Sequence, residues 1–173
     1  GQGGALITDD DYLADKLRKI KDFGRATGGN DIHDSIGYNF KFTELQACIG
    51  IEQMKKLSGR VERKKEIYNH YYTLLKDLPE IKLFKNDNKT TSPWFIDCLV
   101  NDRENLQKYL KDNNIGTRVM YPPINKQAAY NESGFYEVSE KIGTNGLWLP
   151  SSVQLSDDEV SYICSYIRRF YEN

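Results

Sequence analysis

The chain has 173 residues, of which 39% are hydrophobic and 28% charged, with a formal net charge of -1. That length holds one ordinary domain, or a small domain with part of another, and the balanced charge offers no broad basic field, which speaks against nucleic-acid binding. No apolar stretch is long enough for a membrane-spanning helix, no secretory signal pattern opens the chain, and Cys48, Cys98 and Cys164 are spaced as buried thiols of a reducing compartment such as the cytoplasm rather than as disulfides or metal ligands.

Ala5 to Thr8 reads as a short apolar strand leaving a Gly-Gln-Gly-Gly turn. Thr8 or Asp9 then caps a helix with Leu13, Leu17 and Ile20 at helical spacing, and Gly24 stops it. Residues 24 to 42 form a long glycine-containing loop, of the kind that is usually functional. Thr43, with Gln46 three residues on, forms a capping box that starts a helix running to about Leu57 and presenting Leu45, Ile49 and Met54, with small Ala47 and Gly50 permitting close helix contact. A second long helix runs from about Arg60 to Leu78, and its opening run of Arg60, Arg63, Lys64 and Lys65 reads as a solvated face.

Beyond Pro79 the pattern changes. Asn86 to Ser92 is turn-like, Trp94 to Val100 is a strand, and Asp102 caps a helix burying Leu106, Tyr109 and Leu110. Ile115 to Tyr121 reads as another strand, broken by Pro122-Pro123. A short helix near 136–142 and an extended piece at 146–150 follow, and Ser156 with Glu159 caps a last helix carrying Val160, Ile163, Ile167 and Phe170. The order gives a mixed α/β (α+β) class: residues 1–57 as the end of a larger α/β domain, residues 58–173 as a long helix leading into a compact α+β domain.

Gly1-Gln2-Gly3-Gly4-Ala5-Leu6-Ile7-Thr8, Phe23-Gly24-Arg25 and, above all, Gly37-Tyr38-Asn39-Phe40-Lys41-Phe42-Thr43-Glu44-Leu45-Gln46-Ala47 resemble blocks of the DegT/StrS-type nucleotide-sugar aminotransferases. Thr117-Arg118-Val119-Met120-Tyr121-Pro122-Pro123 and Leu147-Trp148-Leu149-Pro150-Ser151 are similar to later blocks, with a lean toward perosamine synthetase-like members. The resemblance implies a pyridoxal phosphate enzyme of the type I aspartate aminotransferase fold. Such enzymes work as homodimers and move an amino group, usually from glutamate, to a keto sugar on a nucleotide. It places the Schiff-base lysine a few residues before the glycine turn, upstream of Gly1, so the chain resembles a C-terminal portion expected to be inactive alone. The competing expectation is a non-catalytic interaction or regulatory module derived from that family.

By this resemblance Asn39 reaches the cofactor phosphate, where its amide can donate without adding charge; the alternative is an asparagine satisfying loop backbone. Gly1, Gly3 and Gly4 are expected to use positive φ in the turn beneath the cofactor. Arg25 either pairs with substrate phosphate or is a cation facing a helix C-terminus. Trp94, Arg118 and Tyr121 fall where the family's small domain faces the sugar nucleotide: Trp94 on a sugar or base face, or in a core, and Arg118 as a fork for diphosphate. Lys41 reads as structural or as a charge facing substrate, and capping accounts for Glu44 and Gln46.

Overall fold

In the computed structural model, which describes residues 2–130 and 133–172, helix α1 spans Asp11–Lys21. Its cap is Asp10 rather than Thr8 or Asp9: the Asp10 carboxylate accepts from the Leu13 N–H, while Thr8, two residues earlier, accepts from the Asp10 N–H. Gly24 closes α1 by donating to Lys19 O at 2.8 Å. Residues 5–8 are not a strand: a strand needs a hydrogen-bonded neighbour, and none of the described residues pairs with them. Helix α2 (Glu44–Met54) begins at the expected capping box, with Thr43 accepting from Gln46 N–H and Gln46 returning to Thr43 N–H. It buries no residue; Leu45, Ile49, Ile51 and Met54 are exposed, and so is Cys48, against the expectation of three buried thiols.

The chain divides at the first turn of α3 (Leu57–Leu75) into two units, Gly1–Leu57 and Ser58–Asn173. The second is built on a four-stranded antiparallel sheet, β1 (Ile81–Leu83), β2 (Ile96–Val100), β3 (Arg118–Val119) and β4 (Gly146–Leu149), in the order β1-β2-β4-β3. Helices α4 (Arg103–Asp112), α5 (Glu137–Asn145) and α6 (Asp157–Glu172) complete it. Alternation sends Ile81 and Leu83, then Ile96, Cys98 and Val100, then Leu147 and Leu149, to one face. There they share a core with Ile67, Tyr71 and Leu75 of α3, Leu106 and Leu110 of α4, and Val160, Ile163, Cys164 and Ile167 of α6. The fold is therefore α+β, with its helical core on one side of the sheet. Burial pushes the Cys164 thiol up to about 12 and Cys98 higher still, which makes both inert.

Four sequence expectations shift. Strand β1 was not marked by the pattern, because three residues are too few to show a period. Helix α3 starts at Leu57 rather than near Arg60 and ends at Leu75 rather than Leu78. The predicted strand 115–121 shrinks to Arg118–Val119, since its partner β4 is itself four residues long. Asp102 sits at the N-cap of α4 but does not cap it; its φ is 49°, and its carboxylate accepts from the Asn105 side chain instead.

Candidate functional site

In the first unit, the loop holding Asn39 is fixed by backbone pairing with the end of α1. Tyr38 N–H donates to Ile20 O at 2.7 Å, Phe23 N–H to Tyr38 O at 3.0 Å, and Phe40 N–H to Lys21 O at 3.0 Å. Two glycines let these segments meet. Gly24 has a φ of 76°, and a Cβ on it would lie 1.9 Å from Ser35 O. A Cβ on Gly37 would lie 2.0 Å from Gly24 N. Asn39 is thus pinned on both sides, yet its side chain is exposed and its amide makes no hydrogen bond among the described residues. A phosphate oxygen is a suitable acceptor for such a donor.

The glycine turn behaves otherwise than expected. Gly3 and Gly4 do not adopt positive φ, and Gly1 lies outside the described residues. What Gly3 provides is room: a Cβ there would come within 2.6 Å of the Phe42 ring. Gln46 ties the same turn to α2 by donating to Gln2 O at 3.0 Å.

Arg25 is committed within the loop. Its guanidinium donates to Asp31 through Nε at 3.0 Å and Nη2 at 2.6 Å, and to Asp22 through Nη1 at 3.1 Å. Lys41 pairs with the same Asp22 at 2.8 Å and lies over the Phe23 ring. The Lys41 ammonium, with Arg25 behind it, holds the Asp22 carboxyl below its ordinary range. These groups, with Arg18 and Lys21, line a basic cleft of 440 Å³.

In the second unit, the sheet face opposite the helical core carries a connected aromatic cluster. Register places Asp97 of β2, Trp148 of β4 and Arg118 of β3 side by side across three strands. Trp148 Nε1–H donates to Asp97 Oδ1 at 2.6 Å. Phe95 stacks on Trp148 with centroids 4.3 Å apart, and Trp94 stacks on Phe95 at 5.0 Å. Tyr121 meets Trp148 edge-on at 5.1 Å, and the Arg118 guanidinium lies 5.4 Å from the centroids of both rings. Arg118 has no acceptor among the described residues, whereas Arg63 and Arg168 are paired with carboxylates and Arg103 bonds backbone carbonyls. Trp94 is 78% and Tyr121 65% exposed, while Trp148 beneath them is 8% exposed.

The structure therefore brings Trp94, Arg118 and Tyr121 together and adds Phe95, Asp97 and Trp148, none of which carries a site role in the sequence reading, although Trp148 lies in one of the quoted blocks. The signal for the missing three was the alternation of β2, which sets Asp97 against Ile96 and Cys98; its pairing with Trp148 follows only from the register.

Burial raises the Asp97 carboxyl above its ordinary value, partly offset by the Trp148 hydrogen bond. A carboxyl raised on folding contributes stability that is complete below the unfolded value of 3.8 and is lost as pH rises through the folded one. Asp97→Asn is thus expected to be more stable than the parent at pH 7 and equal to it in strong acid. Urea midpoints measured across that range check this.

The profile of the DegT/DnrJ/EryC1/StrS aminotransferase family matches residues 1–168. This chain belongs to that family. It is 32% identical over 177 residues to a GDP-perosamine synthase of Escherichia coli O157:H7, covering 100% of the chain and 48% of that protein. It is 31% identical over 172 residues to a dTDP-3-amino-3,6-dideoxy-alpha-D-galactopyranose transaminase of Aneurinibacillus thermoaerophilus, covering 97% of the chain and 47% of the relative. A crystal structure of a DegT DnrJ EryC1 StrS aminotransferase from Brucella abortus superposes with a TM-score of 0.86 at 27% identity, over 96% of this chain and 45% of that one. The family member described here thus spans about half the length of the curated relatives it matches. Its described helices include none long and apolar enough to cross a membrane.

Fit to pyridoxal phosphate can be tested on this family member's own atoms. Asn39 offers a donor with no partner among the described residues, on a backbone bridged to Asp22 of the basic cleft, which suits the edge of a phosphate site. Lys64, the lysine that burial pulls below its ordinary pKa, is not placed as a covalent anchor, because its ammonium is engaged by Trp94 O at 2.6 Å and by Ser151 O.

Proposed function

We propose that this chain is the C-terminal part of a pyridoxal phosphate-dependent aminotransferase that moves an amino group from glutamate to a keto sugar carried on a nucleoside diphosphate. The observation that carries the substrate class is Arg118: a guanidinium aligned by two rings, with no acceptor among the described residues, in one cluster with an exposed Trp94. A planar fork of this kind matches a diphosphate, and an exposed ring matches a sugar or base face.

Asn39 donates to a cofactor phosphate oxygen. Trp94 and Tyr121 bear on the sugar nucleotide, and Arg118 neutralises its diphosphate. Arg25 serves through the loop it clamps, its fork being taken by Asp22 and Asp31. When bound, pyridoxal phosphate supplies the electron sink for amino transfer; the lysine that carries it comes from residues outside this chain, which alone is inactive. Residues 1–57 close a cofactor-binding large domain, and residues 58–173 form the small domain that takes the sugar nucleotide. The enzyme works as a cytoplasmic homodimer. The exposed side of α2, with an apolar hollow of 620 Å³ at Phe42, Gly50, Ile51 and Met54, is the kind of surface that such association covers.

The test uses the full-length protein containing this chain, supplied with glutamate and a nucleotide-linked keto sugar. Release of 2-oxoglutarate is expected, with Arg118→Gln lowering kcat/KM by about tenfold or more, chiefly through KM. Purified protein lacking the cofactor's visible absorbance even after addition of pyridoxal phosphate would overturn the reading.

A further inference from the structure

We propose that Asp97 is a positioning residue, which fixes the Trp148 indole and through it the orientation of Arg118 and Tyr121 toward a nucleoside diphosphate. The inference rests on the reading of the Arg118 face given above and adds to it the group that sets its geometry.

Strand β3 is two residues long and lies at the edge of the sheet, so the backbone constrains little beyond the Cα. No carboxylate pairs with the guanidinium among the described residues. What remains are the two rings, each with its centroid 5.4 Å from the guanidinium carbon. Tyr121 is itself exposed and rests edge-on against Trp148, so the indole plane is the common reference for both.

That plane is set in turn by a polar contact. The χ2 torsion of tryptophan is broad and roughly two-fold, so packing alone leaves alternatives. Trp148 is 8% exposed, and its ring N–H needs a partner on the protein. Asp97 is the direct cross-strand neighbour and accepts from Nε1–H at 2.6 Å, a charge-assisted bond available in only one ring orientation. Phe95, stacked on the indole at 4.3 Å, adds a second restraint on the ring plane. The strand register thus converts one carboxylate on β2 into the aim of a guanidinium on β3, two strands away, that has no acceptor among the described residues.

Orientation and charge make different predictions. If Asp97 acts by orienting the indole, Asp97→Asn keeps an acceptor of the same reach and preserves binding, whereas Asp97→Leu removes it. If Asp97 acts by attracting Arg118 as a charge, Asn and Leu lose equally. The experiment titrates GDP and, separately, dTDP into the full-length protein by calorimetry, with the Trp148 indole N–H resonance followed by NMR. The expected result is affinity within about twofold of the parent for Asn, and about tenfold weaker binding with a displaced indole resonance for Leu. Trp148→Phe keeps a ring but has no N–H, and it is expected to show the same tenfold loss, so the test survives if the Leu variant does not fold. Parental affinity in both the Leu and Phe variants overturns the positioning role while leaving the Arg118 reading intact. Equal losses in Asn and Leu overturn it in favour of charge. If the parent binds neither diphosphate, or Arg118→Gln binds as well as the parent, the functional reading itself falls and this inference with it.

Discussion

Gly37→Ala is expected to dissolve the Asn39 loop, lowering its local stability by about 3 kcal/mol. The added Cβ would sit 2.0 Å from Gly24 N and 2.4 Å from Phe23 C, both backbone atoms that no rotamer change can move. Relief requires the 37–40 segment to leave the end of α1. That breaks the hydrogen bonds from Tyr38 to Ile20, from Phe23 to Tyr38 and from Phe40 to Lys21. Gly24→Ala fails for two reasons at once, a clash 1.9 Å from Ser35 O and a φ of 76° that costs a residue with a Cβ about 1 kcal/mol or more. Gly28 is the control, since nothing lies within 4 Å of its added Cβ, and its alanine variant is expected to stay within about 0.5 kcal/mol of the parent. Hydrogen exchange at the Phe23, Tyr38 and Phe40 amides measures the effect directly. Unchanged protection in Gly37→Ala would show that the loop is not held by this glycine pair.

This loop also shows what a sequence reveals unaided. Helix starts are legible at the two capping boxes, where the signal is local and Thr43 with Gln46 and Ser156 with Glu159 make the expected reciprocal bonds, whereas α1 is capped by Asp10 rather than by the expected Thr8 or Asp9. Gly24 was legible as a stop for the same reason. Asp102 had the right residue type in the right place, but Asn105 one turn on competes for its carboxylate. Residues 5–8 had strand composition and lacked a partner, which no local pattern supplies. Cys48 was expected inside because free cysteines usually are; it sits on α2, whose residues are not buried in this chain.

The candidate site was half legible on the same principle. Trp94, Arg118 and Tyr121 come from two separate stretches, the last two from one block, and are marked by resemblance and by residue type. Their convergence depends on β2 and β3 both pairing with β4 in a register that aligns Asp97, Trp148 and Arg118. Register is a non-local property, set by which face the core takes. Here the core claims Ile96, Cys98 and Leu147, so Asp97 and Trp148 are driven to the other face together. The hydrophobic core and the aromatic face are consequences of one alternation, and a one-residue slip in β4 would destroy both.

Lys64→Met is expected to destabilise the second unit by about 2 kcal/mol, whereas Lys65→Met next to it stays within about 0.5 kcal/mol. The two lysines share a charge run that reads as one solvated face, and the helix turns them to different fates. Lys65 pairs with Glu62 three residues back, at 2.9 Å, an exposed contact of small worth. Lys64 points inward and donates to Trp94 O at 2.6 Å, to Ser151 O and to Ser151 Oγ at 3.3 Å. It thereby ties α3 to the residue before Phe95 and to the end of the segment that follows β4. Methionine matches its length and fills its space but leaves Ser151 O without this donor. Burial pulls the Lys64 pKa below 10.5, so between the folded and unfolded values the unfolded chain binds more protons and stability rises with pH. The gap between parent and Met variant should therefore widen from pH 7 toward pH 10, as urea denaturation at the two values would record. The same substitution should loosen Trp94, visible as a change in tryptophan emission that Lys65→Met lacks. Equal stabilities for the two variants would return Lys64 to the solvated face and remove the anchor from beneath the exposed end of the aromatic cluster.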